Sequence, residues 1–355
     1  FDPRELSQRY PRGGRELIGA FHRWQPRDTV SWFAARGVET KVEDDGRMFP
    51  VTDDSATIID CLRRAADTAG VRVLTTSGVR RAEAAGPGSF WLTLTDGSEV
   101  RCERLLIATG GNRSSAGFTI AAALGHTIEP LVPSLFTFHI DDALLVGLSG
   151  LATNATVAVP GTRLVETGPV LITHWGLSGP ATLRLSAFAA RALKQTAYRG
   201  RLKVDWTGGR SQAELEAWFA LARRDQAKRQ LANWRPWPEL GRRLWLHLLA
   251  QAGVDQERRW ADLAKTHQQA LIQALRASSY AITGRGPFGE EFVTAGGIPL
   301  GEINMASMES RRQRQLYVVG ELLDVDGITG GFNFQHCWSS GWLAGQAIAE
   351  AQRAT

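Results

Sequence analysis

The sequence predicts an α/β fold, a discontinuous Rossmann-like domain interrupted by an inserted β-barrel plus helical subdomain. Two short apolar runs, residues 105–107 and 316–319, are greasy on both faces and too short for helices, as buried strands are. Each runs straight into glycine: Ala108-Thr109-Gly110-Gly111 after the first, and Gly320-Glu321 with a loop carrying Gly327, Gly330 and Gly331 after the second. Between them the texture changes, to short alternating runs and then to helical periodicity, so the first domain must be left and re-entered. The expected boundaries are 1–132 and 291–355 for the two parts of the Rossmann-like domain and 133–290 for the insert. Within the insert the barrel is expected at about 133–207 and 278–290, and the helical part at about 208–277.

In chain order, residues 29–36 read as a helix with Val30, Phe33 and Ala34 inward, stopped at Gly37. Asp53-Asp54-Ser55 offers N-cap oxygens to a second helix, in which Ile58, Ile59, Leu62, Ala65, Ala66 and Ala69 repeat until Gly70 closes it. Residues 71–74 then read as a strand. Asp96-Gly97 joins 90–95 to 98–102, a strong hairpin signal feeding the strand at Leu105. From about Pro133 the runs 135–140, 155–159 and 170–173 are separated by Gly, Asn and Pro, which suggests a small barrel or sandwich. Ser178-Gly179-Pro180 reads as a helix start, a capping hydroxyl followed by proline in the first turn. Residues 211–277 are mostly helical, broken around Trp234-Arg-Pro-Trp237-Pro, with Trp218, Trp245 and Trp260 expected in the core. The chain returns to its first domain near Val293. Its last helix puts Trp338, Trp342, Leu343, Ala347 and Ile348 on one side.

At 355 residues the chain can hold two or three domains. Its apolar runs fall far short of a membrane span, and no charged-then-apolar leader precedes a cleavage site. Cys61, Cys102 and Cys337 are scattered and lack Cys-x-x-Cys spacing. That suits a reducing cytoplasm, with neither a disulfide framework nor a zinc site. The net charge of +5 is unevenly placed: from Arg201 to Arg276 there are 14 Lys/Arg against 8 Asp/Glu, leaving −1 for the remainder. This segment reads either as a face for an anionic partner, such as RNA or a phosphorylated cofactor, or as a solvated Arg-rich helix surface. The scarcity of lysine, five in all, favours the second.

Strand, glycine-rich loop and helix form the geometry in which bare backbone amides approach an anionic or polar cofactor. An acid just past a buried strand suits a ribityl or ribose hydroxyl; the plainer alternative is a tight αβ connection. Further stretches bear on the choice: Gly46-Arg47-Met48-Phe49-Pro50, Thr173-His174-Trp175-Gly176-Leu177-Ser178-Gly179-Pro180, Val293 through Ile298, and Met308-Glu309-Ser310. With the two glycine-bearing strand ends, these pieces occur in the order found in the BaiN/YhiN-like family of FAD-dependent, NAD(P)-linked oxidoreductases. The chain closely resembles that family over nearly all of its length. The resemblance implies a discontinuous FAD-binding domain in which Val79 falls at the adenine-contacting turn and Ala108, Thr109, Gly110 and Gly111 pack along the cofactor. It implies that Gly320, Glu321, Asp324, Gly330, Gly331, Phe332, Asn333, Phe334 and Gln335 hold the ribityl chain, pyrophosphate and ring. NAD(P)H would dock transiently as hydride donor. Two departures stand out. The family opens with a Gly-x-Gly-x-x-Gly unit, whereas Asp2-Pro-Arg-Glu-Leu already corresponds to a region beyond it, so a chain lacking its phosphate cradle, short of a central strand and poorly soluble alone is expected. The loop after Gly111 is also shortened.

His174 is the candidate proton donor, because imidazole titrates near neutrality; the alternative is a histidine that merely fixes the turn at Gly176. Arg47 is the candidate cation beside the flavin; the alternative is a surface ion pair. Gly284-Arg-Gly286-Pro-Phe-Gly289 matches the dinucleotide fingerprint literally, but Pro287 stands where a helix should open, so it is expected to be a decoy. No nucleophile elbow, His-Glu-x-x-His, P-loop or glycosidase-like carboxylate pair is present. The function expected is NAD(P)H-driven, FAD-dependent reduction of an electron-poor C=C bond in a small molecule. Two alternatives are flavin-dependent reduction of uridine in RNA, docked through the basic insert, and a cofactor-less binding module.

Overall fold

The computed structural model describes residues 2–43, 46–86, 88–111, 116–286 and 293–353. The chain forms two compact units, Phe1–Val132 with Val293–Thr355, and Pro133–Phe292.

In the first unit the two apolar runs form adjacent parallel strands, Leu105–Ile107 and Leu316–Val318, with Leu316 opposite Leu105 and Val318 opposite Ile107. The sheet continues antiparallel through Glu309–Ser310 to Ile303–Asn304. Among the described residues the other edge of Leu105–Ile107 carries no strand, and Leu106 is exposed there. The Asp96-Gly97 hairpin forms as read, between Ser89–Leu94 and Glu99–Cys102, and a third antiparallel strand, Val79–Gly86, lies alongside. Helices Gly14–Arg23 and Gly330–Arg353 cover the buried strands, burying Leu17, Phe21, Leu343 and Ala344. Asp54 caps Ser55–Thr68, its carboxylate accepting from the Ala56 amide at 2.8 Å.

Three local readings need correction. Residues 71–74 form no strand: no other segment among the described residues supplies a hydrogen-bond ladder, and Val71, Val73 and Leu74 are exposed. Ile59 and Leu62 are exposed as well, Cys61 being the buried residue of that helix. Ala34, expected to point inward, lies on the solvent side of Pro26–Ala34, whose buried positions are Thr29 and Phe33.

Val293–Gly297 is buried along its whole length and pairs with Glu129–Ser134. Its glycines are dictated by space. Gly296 has φ +100°, and a Cβ there would run into the Pro130 carbonyl oxygen; one at Gly297 would lie 2.5 Å from that of Leu322. Buried polar ties complete this unit. The guanidinium of Arg12 meets both carboxylate oxygens of the fully buried Asp326, joining the first helical turns to the loop after Gly320.

In the second unit, six strands among the described residues close into a barrel, in the order 165–172, 176–178, 138–140, 278–285, 200–205 and 152–158. Helices Gln212–Asp225, Arg242–Gln251 and Lys265–Ala277 pack beside it, and Trp206, Trp245 and Trp260 are fully buried in their shared core. Ser178 does not cap the next helix. It ends a barrel strand, and its hydroxyl accepts from Thr137 at 3.0 Å, while Gly179 holds the N-cap position of Pro180–Gln195 at φ +93°. The literal fingerprint begins inside strand Ser278–Arg285, and its residues from Pro287 onward lie outside the described residues.

Because Gly296 combines a left-handed φ with backbone on the side a Cβ would take, Gly296→Ala should destabilise the protein by about 3 kcal/mol. Chemical denaturation of the variant beside wild type measures this.

Candidate flavin site

The two strand tips meet through one side chain. Glu321 leaves Leu316–Val318 in a short 3-10 turn, Gly320–Leu322, and its two carboxylate oxygens accept from different segments. Oε2 takes the Gly111 amide at 3.2 Å and Oε1 the Thr294 amide at 3.0 Å. Gly111 must be glycine for this, since a Cβ would stand 2.5 Å from Glu321 Cγ. Three residues on, Asp324 Oδ1 accepts from the Gly296 amide at 3.1 Å. Two acids of one loop thus clamp the same buried strand.

Gly320 has φ +68°, and its amide donates to the Ser340 hydroxyl at 3.1 Å. Its carbonyl lies 3.1 Å from His336 Nε2; a carbonyl can only accept, so that nitrogen carries the proton. Burial lowers the pKa of His336 to about 4, the bond to Gly320 opposing the shift. Burial, with a smaller contribution from Glu321, raises Cys337 to about 11, so this thiol is inert at neutral pH.

The N-terminus of the Gly330–Arg353 helix is built by Asn333. Its Nδ2 donates to the carbonyls of Gly327 and Thr329 at 3.0 and 2.9 Å, and its Oδ1 accepts from the Gly327 amide at 3.0 Å. Tyr10 donates its phenol to the Phe332 carbonyl at 2.6 Å. Gly330 and Gly331 are exposed, and no atom of the described residues lies within 4 Å of a Cβ position at Gly330. Gly110, at φ +76°, is equally open.

The candidate residues therefore separate. Thr109, Gly110, Gly111, Gly320 and Glu321 come together at the paired strand tips, with exposed Ala108 just before them and Asp324 just beyond. Asn333 acts within its own loop. Gln335 points into the core, accepting from the Thr29 hydroxyl at 3.2 Å and donating to Ser339 at 3.0 Å. Phe334 is 61% exposed and stacks on Trp338. Val79 starts a hairpin-sheet strand, half-buried opposite Leu94. Arg47 lies on the exposed hairpin of strands Thr40–Val42 and Met48–Pro50, its guanidinium over the Phe49 ring.

The sequence profile of the HI0933-like protein Rossmann domain matches residues 1–347. The chain belongs to this family, a group of flavoprotein oxidoreductases. The 3-dehydro-bile acid delta(4,6)-reductase of Clostridium scindens is 29% identical over 337 residues, covering 91% of this chain and 80% of that protein. The ribosomal RNA dihydrouridine synthase of Escherichia coli is 31% identical over 366 residues, covering 98% and 84%. That of Haemophilus influenzae is 26% identical over 357 residues, covering 97% and 84%. An oxidoreductase of flavin type replaces the binding-module alternative.

Features of this HI0933-like flavoprotein escaped the sequence reading. Thr294 receives no signal from its residue type, because it contributes only its amide. A second polar cluster joins His126, Glu302 and Ser310: His126 Nδ1 lies 2.8 Å from Glu302 and Nε2 lies 2.8 Å from the Ser310 hydroxyl. In the second unit, His174 is exposed in the turn between strands 165–172 and 176–178. It lines a cavity of about 320 Å³ with His139, Asp141, Asp142 and Trp175. No described helix is long and apolar enough to cross a membrane, and no cluster among the described residues could hold a metal ion.

Two outcomes follow for the strand tips. Glu321→Gln turns an amide NH₂ toward one of two backbone donors and should cost about 1–3 kcal/mol in denaturant unfolding. For His336 the folded pKa lies below the unfolded 6.5, so the unfolded chain binds the proton first and stability falls as pH drops from about 6.5 to 4. Urea midpoints at pH 7 and 4.5 should show a smaller drop for His336→Gln than for wild type.

Proposed function

We propose that the chain is an FAD-dependent reductase that uses NAD(P)H to reduce an electron-poor C=C bond of a small molecule. The supporting observation is the pair of strand tips held side by side by Glu321, with open glycines at 110 and 330 where backbone can come close to a ligand. The residues fit FAD. The open Gly330 begins a 24-residue helix, whose first-turn amides are favourable for a pyrophosphate. Glu321 still has acceptor positions for a ribityl hydroxyl, because a carboxylate offers about four lone-pair sites and two are in use. When bound, the flavin supplies hydride acceptance from nicotinamide and hydride delivery to the alkene.

The chain's own contribution is placement, charge and a proton. His174 donates the proton that completes the addition, and Arg47 supplies positive charge beside the cofactor. Asp141 and Asp142 line the same cavity as His174. The name of the Clostridium scindens relative, a delta(4,6)-reductase, supports an alkene as acceptor.

A second reading makes the alkene the C5=C6 bond of uridine in RNA, which is conjugated to a carbonyl and open to the same addition. Two relatives named as ribosomal RNA dihydrouridine synthases and the basic surplus between Arg201 and Arg276 favour it.

Purified full-length protein reconstituted with FAD should show flavin absorbance, bleach anaerobically under NADPH or NADH, and recover its colour on adding an enone. His174→Ala should slow the recovery by about 10²-fold or more while leaving the bleaching unchanged. Absence of a flavin spectrum, or of NAD(P)H oxidation with every enone and with uridine-containing RNA, would sink the proposal.

A further inference from the structure

The second unit carries a notch that neither the flavin chemistry nor the His174 cavity uses. Residues 227–232 and 256–261 run antiparallel, laced by backbone bonds from Trp260 to Arg229 at 3.0 Å, Leu231 to Arg258 at 2.8 Å and Ala261 to Ala227 at 3.1 Å, with a bridge between Gln230 and Arg259. Leu231 and Trp260 are fully buried beneath, and Trp245 Nε1 donates to the Leu231 carbonyl at 2.8 Å from below. This ribbon is therefore anchored, and its outward side chains have a defined spacing.

Those side chains are Lys228, Arg229, Gln230, Asn233 and Arg259, which line a cavity of about 460 Å³. Three cations and two amides share it, and no carboxylate does. Of the acids close by in sequence, Asp225 pairs with Arg224 at 2.6 Å and Asp255 accepts from the Glu257 amide at 3.0 Å, while Glu257 and Asp262 are exposed and do not line the cavity. Among the described residues, Lys228, Arg229 and Arg259 make no ion pair, while the Arg229 guanidinium lies 5.6 Å from the centroid of the Trp234 ring. Three cations lining one cavity without an ion pair make a region of positive potential, which a bound polyanion neutralises. Amides beside them can reach base edges or a 2′-hydroxyl, and guanidinium next to an indole is a surface on which a base can stack.

We propose that this notch binds a single-stranded stretch of RNA, Lys228, Arg229 and Arg259 contacting successive phosphates and Gln230 and Asn233 contacting base or sugar. The inference deepens the second functional reading and rests on it for the identity of the partner. It locates the docking surface on a fixed ribbon of the insert, in a cavity that shares no lining residue with that of His174.

The test uses full-length protein and a fluorescein-labelled oligouridylate, with affinity measured by anisotropy across a salt series. Neutralising K228Q, R229Q and R259Q together should weaken binding at least tenfold and flatten the slope of log K against log salt by about 2, three lost phosphate contacts at roughly 0.7 each. The triple variant R63Q, R64Q and R72Q in the first unit makes the same charge change and should keep nearly wild-type affinity. Wild-type affinity and slope in the notch variant, an equal loss in the control, or no RNA binding by wild type each overturn the inference. Flavin bleaching under NAD(P)H with enone turnover, measured on the same preparations, reports separately on the reductase reading. It should be unchanged in the notch variant.

Discussion

The first unit depends on one carboxylate held between two backbone amides that belong to distant parts of the chain. Glu321 lies 210 residues from Gly111 and 27 from Thr294, and it accepts from both. A charged acceptor makes stronger hydrogen bonds than a neutral one, and partial burial reduces competition from water. Each oxygen serves a different segment, so the carboxylate ties the tip at Gly111 to the start of strand Val293–Gly297. Gly111 and Glu321 are consequently one structural decision, the missing Cβ of the first making room for the side chain of the second. Asp324 repeats the device on Gly296, so the strand Val293–Gly297 is fixed at two points along its length.

A similar economy explains a cluster that could be mistaken for catalytic machinery. Ser310, His126 and Glu302 have the order of a nucleophile, base and orienting acid, with 2.8 Å from His126 to each of the other two. The Ser310 hydroxyl, however, also accepts the amides of Arg312 and Gln313, both at 3.0 Å, and all three side chains are buried. Its lone pairs are occupied and no acyl group can approach, so the arrangement ties a turn rather than attacks a substrate. Burial alone would raise the pKa of Glu302; bonds from His126, Thr127 and Arg312 outweigh it and bring the value to about 2. The stabilisation is therefore present above the ordinary carboxylate range and is lost as pH falls from about 4.5 toward 2.

What was legible in the sequence is what short-range pattern controls. Asp96-Gly97 dictates its hairpin, Asp54 caps its helix, and both apolar runs become parallel neighbours, although only the second is buried throughout, Leu106 of the first being exposed. The tryptophans at 245 and 260 lie in the core, where their large apolar surface is covered. Residues 71–74 have the composition of a strand, but strand formation is a property of pairs, and no partner runs alongside them among the described residues. Ser178 failed as a cap because a barrel strand claimed it, tertiary pairing overriding a local signal. In the candidate site, the acids and glycines were visible by type. The amides of Gly111, Thr294 and Gly296 were not, since a backbone donor carries no letter.

The glycines of the first unit divide by the space a side chain would meet, and the division separates scaffold from opening. At 111, 296, 297 and 327 a Cβ would run into Glu321, Pro130, Leu322 and Phe332, so glycine there permits chain to pack on chain. At 110 and 330 nothing among the described residues lies within 4 Å, so close packing there gives no reason for glycine. Gly110 has a left-handed φ and follows a buried strand; Gly330 opens a long helix whose first amides have no partners within the helix. Backbone that is bare, open and rich in donors is suited to a ligand with acceptor oxygens. The closed glycines hold the two tips in register, and the open ones leave room above them, which makes rigidity and access products of the same residue used in two ways.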